Sequence, residues 1–404
     1  VSPRATTVHR GRWTLADRLE QNLRELPFDV PPGTAAVAVE LSYDRAAGVL
    51  DLGCLGAAGF RGWSGGARDS YTVAAGWATP GYLPGEAEPG RWHVLLRLHR
   101  VPPGGLDYEV RITTADTAPP PPAPQEVPPA PRPPRRDLPE VDGMRWVAGD
   151  FHSHTVHSDG ALTVGELAAL AAGRGLDFLA VTDHNTVSHH PELGPTGERH
   201  GIVLLPGQEV TTDTGHANVF GDTGWVDFRR PAGHWLAHAE EHGGVMSVNH
   251  PLGGDCSWRN PLPRRTRHAE VWHSDWRDRR HGGPLAWAMA WRPEVIAIGG
   301  SDFHRPGGNG LPGEPTTWLL VAEESTAGLL AALDAGRTAV SAGPGAALLL
   351  RLGDELLALG AEGTALVRPD GSRLPVRGDR ALLPAAPGQH RLETYENEVI
   401  ALCQ

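Results

Sequence analysis

Residues 149–160, GDFHSHTVHSDG, follow the short apolar run RWVA and put three histidines and two aspartates where a strand should enter a core. In extended backbone, residues i and i+2 project to one side, so His152 and His154 share a face. A lone histidine at a strand end is ordinarily a loop or core residue. The pattern, however, recurs along the chain. His184 ends LDFLAVTDH, Glu209 ends GIVLLPGQE, His216 opens HANVFG seven residues later, and His250 ends GVMSVNH. Asp302 and His304, again two apart, close VIAIGGSDFH. Of the 20 histidines, 16 lie between positions 150 and 304.

Working outward, these apolar runs, with HAEVWH and TTWLLVA, alternate with helical patterns: TVGELAALAAGRG, AGHWLAHAEEHG, GPLAWAMAWRP and ESTAGLLAALDAG. Thr163 followed by Glu166 is a capping-box start for the first. Alternation of this kind predicts an α/β unit with a parallel sheet, and about eight strands in roughly 200 residues predict a closed barrel over 141–345. In such a barrel the strands' carboxyl ends share one rim, where active sites are built. His152, His154, Asp159, His184, Glu209, His216, His250, Asp302 and His304 are therefore expected at one mouth.

Gathering so many imidazoles and carboxylates without compensation costs several kcal/mol in desolvation and repulsion, about 2–7 kcal/mol per unpaired group. Divalent ions remove that cost. HxH, SDG, TDH and SDFH are each common alone; their conjunction points to a metal site. Histidine, aspartate and glutamate ligands without thiolate suit Zn²⁺, Mn²⁺ or Fe²⁺. A structural zinc site is closed, four-coordinate and usually rich in cysteine, so this set reads as catalytic and multinuclear.

The flanks differ. Residues 1–115 carry short β-like runs such as AAVAVELSYD, RWHVLLRLHRV and DYEVRITT, separated by turn signals, and predict an all-β sandwich. Residues 116–140, DTAPPPPAPQEVPPAPRPPRRDLPE, read as a proline-rich, semi-rigid linker. Residues 346–404 read as a small β-rich appendage.

Composition narrows the function classes. The 404 residues carry a net charge of −12, and all 36 basic residues are arginine. That balance argues against a stable nucleic-acid complex, which needs a broad basic surface. Cys54, Cys256 and Cys403 are far apart, so a disulfide framework is not expected and a cytoplasmic setting is the default. The stretch VSPRATTVHRGRW lacks a signal peptide's apolar core, and no run approaches the ~18 apolar residues of a membrane span. Oligomeric state is not legible.

HSHTVHSDG, TDHN, NHP and SDFH, in this order and strand context, resemble the motifs of the PHP (polymerase and histidinol phosphatase) family over roughly residues 145–345. EVTTDTGHANVFG, EVWHSDW and RTAVSAGP resemble its CehA/McbA branch, as does WATPGYLPG in the β domain before it. The resemblance implies a distorted, TIM-like (β/α)7 barrel with two or three metal ions. Carried over, His152, His154, Glu209 and Asp302 hold the first ion. Glu209 bridges to a second, which His216 and His250 also bind, and Asp159, His184 and His304 hold the third. Water shared by two such ions drops in pKa from 15.7 towards about 7, roughly 12 kcal/mol towards forming hydroxide at neutral pH. Asp302 is the expected group to orient or deprotonate it.

Arg305, Arg259 and His273 are candidate contacts for an anionic small-molecule substrate, with Arg264, Arg265 and Arg267 in the same loop as Arg259. Three functions follow. The first is a metal-dependent phosphoesterase for a small phosphorylated molecule or nucleotide. The second is a carbamate, ester or amide hydrolase like those of the branch. The third is a catalytically silent barrel with a binding role, which the presence of both Glu209 and Asp302 disfavours.

Overall fold

The computed structural model describes residues 3–123, 125–308 and 310–404; Val1, Ser2, Pro124 and Asn309, within the expected sandwich, linker and barrel, lie outside the described residues. The chain divides into two compact units. One comprises residues 1–126 with the short segments 156–159 and 186–189; the other comprises 127–155, 160–185 and 190–404.

The first unit is an antiparallel sandwich. Its strands are β1 (Pro3–Trp13), β2 (Leu23–Val30), β3 (Ala36–Tyr43), β4 (Val49–Gly56), β5 (Gly59–Gly65), β6 (Ser70–Ala74), β7 (Gly90–Arg100) and β8 (Leu106–Ala115). One sheet runs β1-β8-β3-β6 and the other β2-β7-β4-β5. Alternation explains the layering: Val37, Val39 and Leu41 of β3 turn inward with Trp92, Val94, Leu96 and Leu98 of β7, and all join one core. A short helix, α1 (Leu15–Glu20), begins at a Thr14–Asp17 capping box and buries nothing, which is why no apolar periodicity announced it. In WATPGYLPG, Gly81 has φ +100°, and a Cβ there would meet the carbonyl oxygens of Trp63 and His157 at 2.8 Å. Its amide donates to Ser188 Oγ (3.0 Å) and its carbonyl accepts from Thr186 Oγ1 (2.9 Å). Only glycine satisfies both the conformation and the approach.

The second unit contains β9 (Arg145–Asp150), β10 (Phe178–Val181), β11 (Val203–Thr212), β12 (Gly215–Phe220), β13 (Val245–Val248), β14 (His268–His273), β15 (Ile296–Gly300), β16 (Thr316–Val321) and β17 (Thr338–Ser341). They follow the order β15-β14-β13-β12-β11-β10-β9-β16-β17. Pairing is parallel from β9 through β11 and from β13 through β15. β12 runs antiparallel to both neighbours, and β16 is antiparallel to β9. β15 reaches the other end of this order through side chains: Thr317 Oγ1 accepts from Gly299 N (2.7 Å), and Thr338 Oγ1 donates to the Ala297 carbonyl (3.1 Å). The barrel is thus parallel in most of its strands, distorted by two reversed strands, β12 and β16, and closed by threonine hydroxyls.

The helices are α2 (Val164–Gly173), α3 (His190–His200), α4 (Ala232–Glu241), α5 (Gly282–Trp291) and α6 (Thr326–Asp334). The Thr163–Glu166 capping box opens α2 as expected. α3 was not expected, because HPELGPTGERH carries Pro195 and two glycines and buries only Leu193, Gly197 and His200. Gly197 lets it lie close, since a Cβ would stand 2.7 Å from the Ile202 carbonyl. Gly149 serves the interior likewise: a Cβ would clash at 2.3 Å with Phe178, whose ring packs edge-on against Phe151.

From Val127 the proline-rich segment packs on α2, with Val127, Ala130 and Pro133 against Gly165, Gly173 and Gly175. Arg132 anchors it to Asp177 (2.9 Å). The carboxyl-terminal residues share the barrel's core: Leu348, Leu350, Leu357 and Leu392 cluster with Trp318 and Leu179. Strand Val399–Cys403 pairs with β17. Among the described residues no helix is long and apolar enough to cross a membrane.

Candidate metal centre

Each strand exit delivers a ligand type. His152 and His154 follow β9, His184 follows β10, and Glu209 lies within β11 next to the β10 exit, bridged to His184. His250 follows β13, and Asp302 and His304 follow β15. His216 stands at the start of β12 rather than at an end. Because β12 is reversed, its first residues lie beside the last of β11, with His216 opposite Thr211. Reversal brings His216 to the rim that a parallel strand would have denied it.

The centre is Glu209, fully buried. Its Oε1 lies 3.3 Å from His152 Nε2, 3.1 Å from His216 Nδ1 and 3.2 Å from His250 Nε2. Its Oε2 lies 2.7 Å from His184 Nδ1 and 3.6 Å from His154 Nε2. Asp302 Oδ1 lies 3.1 Å from His152 Nε2 and 2.8 Å from His154 Nε2. The rings of His154 and His304 stack at 4.2 Å, and those of His154 and His184 at 4.3 Å. Asp159 is exposed and falls in segment 156–159 of the first unit.

The side chains offer ligand sets His152–His154–Glu209–Asp302 and His184–Glu209–His216, and a further set of His216, His250 and Cys256. Several close approaches are not hydrogen bonds. His152 Nε2 and Glu209 Oε2 are buried without a hydrogen-bond partner despite neighbours near 3 Å, as are His154 Nδ1 and His273 Nε2. Lone pairs converging at such distances, off hydrogen-bond geometry, are what ligands around a shared cation show: tetrahedral bonds of 2.0–2.2 Å set ligand atoms about 3.4 Å apart. The donor set fits divalent ions.

The electrostatics divide the imidazoles: against burial, Asp302, Glu209 and Glu270 carry His152 well above its ordinary value, and Cys256 and Glu209 do the same for His250, whereas His154 goes down. Burial alone would raise the Glu209 carboxyl, but His152, His184 and His216 overcome it and hold it well below the usual range. Burial likewise opposes Asp302, and the imidazoles of His152, His154 and His273 keep it ionised. Burial, with His304 and His184 close by, pushes His154 down to about 4, leaving it neutral as a ligand must be. Backbone strain concentrates here too: His250 and Asp302 have φ of +21° and +51°.

Sequence reasoning missed the groups that hold the ligands. Glu270, buried mid-β14, meets His152 Nδ1 at 3.0 Å and accepts the His250 amide at 2.7 Å. Gly300 makes room, since a Cβ there would stand 2.0 Å from Glu270 Oε1. Asp150 accepts the amides of His152, Ser301 and Gly313 (3.0, 3.0 and 2.8 Å), tying the exits of β9 and β15 together; burial raises its carboxyl nonetheless. Asn249 donates to Glu209 Oε1 (2.9 Å). A carboxylate inside the apolar run HAEVWH was the available signal for Glu270.

His273 is buried at the end of β14, its Nε2 3.4 Å from Asp302 Oδ2. Its Nδ1 accepts the Asp275 amide (3.1 Å), so the neutral ring carries its hydrogen on Nε2. Arg259 is engaged by the carbonyls of Asp213 and Asp255, Arg264 by Glu240, Arg265 by the Ala290 and Trp291 carbonyls, and Arg267 by Asp334. Arg305 is exposed, one residue after His304.

Residues 150–252 match the family described as PHP domain. Over 70 residues the chain is 40% identical to a 3',5'-nucleoside bisphosphate phosphatase of Chromobacterium violaceum, covering 17% of this chain and 25% of that one. Over 64 residues it is 36% identical to a 5'-3' exoribonuclease of Haemophilus influenzae, covering 16% and 23%. The chain thus spans about a quarter of the length of these curated relatives. Among solved structures it is similar to a two-domain protein containing a predicted PHP-like metal-dependent phosphoesterase from Bacteroides vulgatus, at 20% identity and a TM-score of 0.42, over 68% of this chain and 91% of that one. A likeness of that strength carries nothing about activity.

Proposed function

We propose that the chain is a PHP-type metal-dependent phosphoesterase acting on a small phosphorylated molecule or nucleotide. One observation carries this: a buried carboxylate, Glu209, faced by five imidazoles whose nearest atoms stand at ligand spacing. The phosphatase and exoribonuclease names of the partial relatives favour phosphoester chemistry over the carbamate, ester or amide hydrolysis of the CehA/McbA branch.

His152, His154, Glu209 and Asp302 would hold one ion, Glu209, His216 and His250 a second, and His184 and His304 would contribute to a third. Bound ions would supply Lewis acidity and neutralise charge on the phosphoryl oxygens. Glu209, buried and ionised, would be the carboxylate common to the first two sets. Asp302, whose side chain is 21% exposed, is the carboxylate that attacking water can reach, and it takes the water's proton. His273, its Nε2 3.4 Å from Asp302 Oδ2, stands beside that carboxylate. Arg305 offers a guanidinium to the substrate's anionic group.

The test pairs metal analysis with a hydrolysis screen of p-nitrophenyl phosphate, bis-p-nitrophenyl phosphate, nucleotides and naphthyl carbamates under Zn²⁺, Mn²⁺ and Fe²⁺. Phosphoester turnover with bound ions is expected. Turnover of carbamates alone would move the assignment to the branch activity, and a metal-free, silent chain would end it. Glu209→Gln should lower both metal content and turnover, the latter by about 100-fold or more, while the circular dichroism spectrum holds.

A further inference from the structure

Cys256 lies at the end of a 3-10 turn, Gly254–Cys256, six residues beyond His250. The chain returns to the rim because Gly253 N donates to the His250 carbonyl (2.7 Å), making a tight turn. The returning sulfur stands 3.4 Å from His250 Nδ1 and 3.1 Å from the Gly253 carbonyl oxygen. A thiol has one hydrogen, and a carbonyl can only accept, so that hydrogen is used on Gly253. The sulfur therefore meets Nδ1 with a lone pair, and Nδ1 is the nitrogen that carries hydrogen. Nε2 donates to the ionised Glu209 Oε1, 3.2 Å away, and is the nitrogen whose hydrogen a bound ion would replace.

His273, whose ring centre is 5.2 Å from that of His250, is set the opposite way by the Asp275 amide. Two neighbouring buried imidazoles thus receive opposite hydrogen placements from opposite kinds of partner. One can ligate through Nε2; the other presents a hydrogen there.

We infer that Cys256 is a positioning residue for the metal centre: its thiol fixes the tautomer and orientation of His250, and through it the affinity of the ion shared with Glu209. The relay runs from the Gly253 carbonyl through S–H to Nδ1–H, the place a carboxylate or carbonyl usually fills behind a metal-binding histidine. It rests on the metal-dependent reading above. In this role the sulfur serves the ring rather than the ion, although it also falls in a group with His216 and His250 that could hold one.

Three measurements on the full chain test it. By competition with a chromophoric chelator, C256A should weaken one equivalent of bound Zn²⁺ about 10–100-fold, and C256S, whose hydroxyl can also accept from Nδ1 and donate to Gly253, should restore it to within a few-fold. In the Zn²⁺-loaded wild type, 15N spectra should place hydrogen on His250 Nδ1 and coordination on Nε2; this needs no variant to fold. With Co²⁺, no thiolate-to-metal charge-transfer band should appear in the near ultraviolet. Wild-type affinity in C256A, coordination through Nδ1, or a charge-transfer band would each overturn the role assigned to Cys256. A wild type that binds no ion at all would instead overturn the metal-dependent reading itself.

Discussion

In the sandwich, Arg97 and Asp51 are both buried, with Nη1 and Oδ2 3.5 Å apart. At the barrel rim, Glu209 and Asp302 are held among His152, His154, His184, His216, His250 and His273, with ring and carboxylate atoms left without hydrogen-bond geometry. The first arrangement is complete within the chain: Asp51 faces Arg97, with His99 Nδ1 3.7 Å away at its exposed edge. The second has more lone pairs than hydrogens to satisfy them. Burial of polar groups is therefore not by itself the mark of a site; burial that the protein's own hydrogens leave incomplete is.

The largest expected effect breaks the sandwich side of this contrast. Arg97→Ala leaves the buried Asp51 facing only the half-exposed His99, 3.7 Å away, and should cost about 3–5 kcal/mol of stability, read as a fall in urea midpoint. On the rim the corresponding partner is added rather than removed. Zn²⁺ at about 100 times its Kd should stabilise the wild type by ~2.7 kcal/mol in denaturant melts, and the gain should shrink sharply in Glu209→Gln. Equal stabilisation of both chains would mean the ion binds elsewhere. Next, Glu270→Gln keeps the volume beside Gly300 but loses the charge behind His152. It should weaken Zn²⁺ about 10–100-fold by chelator competition with little change in the melt of the metal-free chain.

The smallest effect is silent at neutral pH. His268, at the other end of β14 from His273, is buried and bonded to the Leu333 carbonyl at 3.1 Å. Burial is the main cause that pushes it down to about 4 from its ordinary value near 6.5. Between those two pH values the unfolded chain takes up a proton that the folded chain refuses, so stability falls as pH falls through that window. His268→Gln should flatten the acid limb of a stability–pH curve from 6.5 down to 4 and leave the curve above 6.5 unchanged. An unaltered limb would show that other groups set it.

The strands that end in ligands were legible because each joined an apolar run to a polar stop: LDFLAVTDH, GVMSVNH and VIAIGGSDFH become β10, β13 and β15 with their exits. Four helices were legible by periodicity. α3 was not, because its glycines and proline lower its local helical preference while packing against residues 202–204 supplies the stability. The reversal of β12 was also hidden, since a strand's direction depends on its neighbours rather than on its own alternation. Glu270, Asp150 and Cys256 escaped for a related reason: each acts through a partner 2 to 163 residues away in the chain.

What the sequence determined alone was which residues could be ligands and on which strand exits they stand, because side-chain alternation and strand ends are local properties of the backbone. The tertiary structure decided which lone pairs face one another, which imidazole nitrogen carries hydrogen, and which arginines are already engaged. Those depend on strand direction, on hydrogen bonds between distant segments, and on how much water burial removes. None of these is a property of any one stretch of chain.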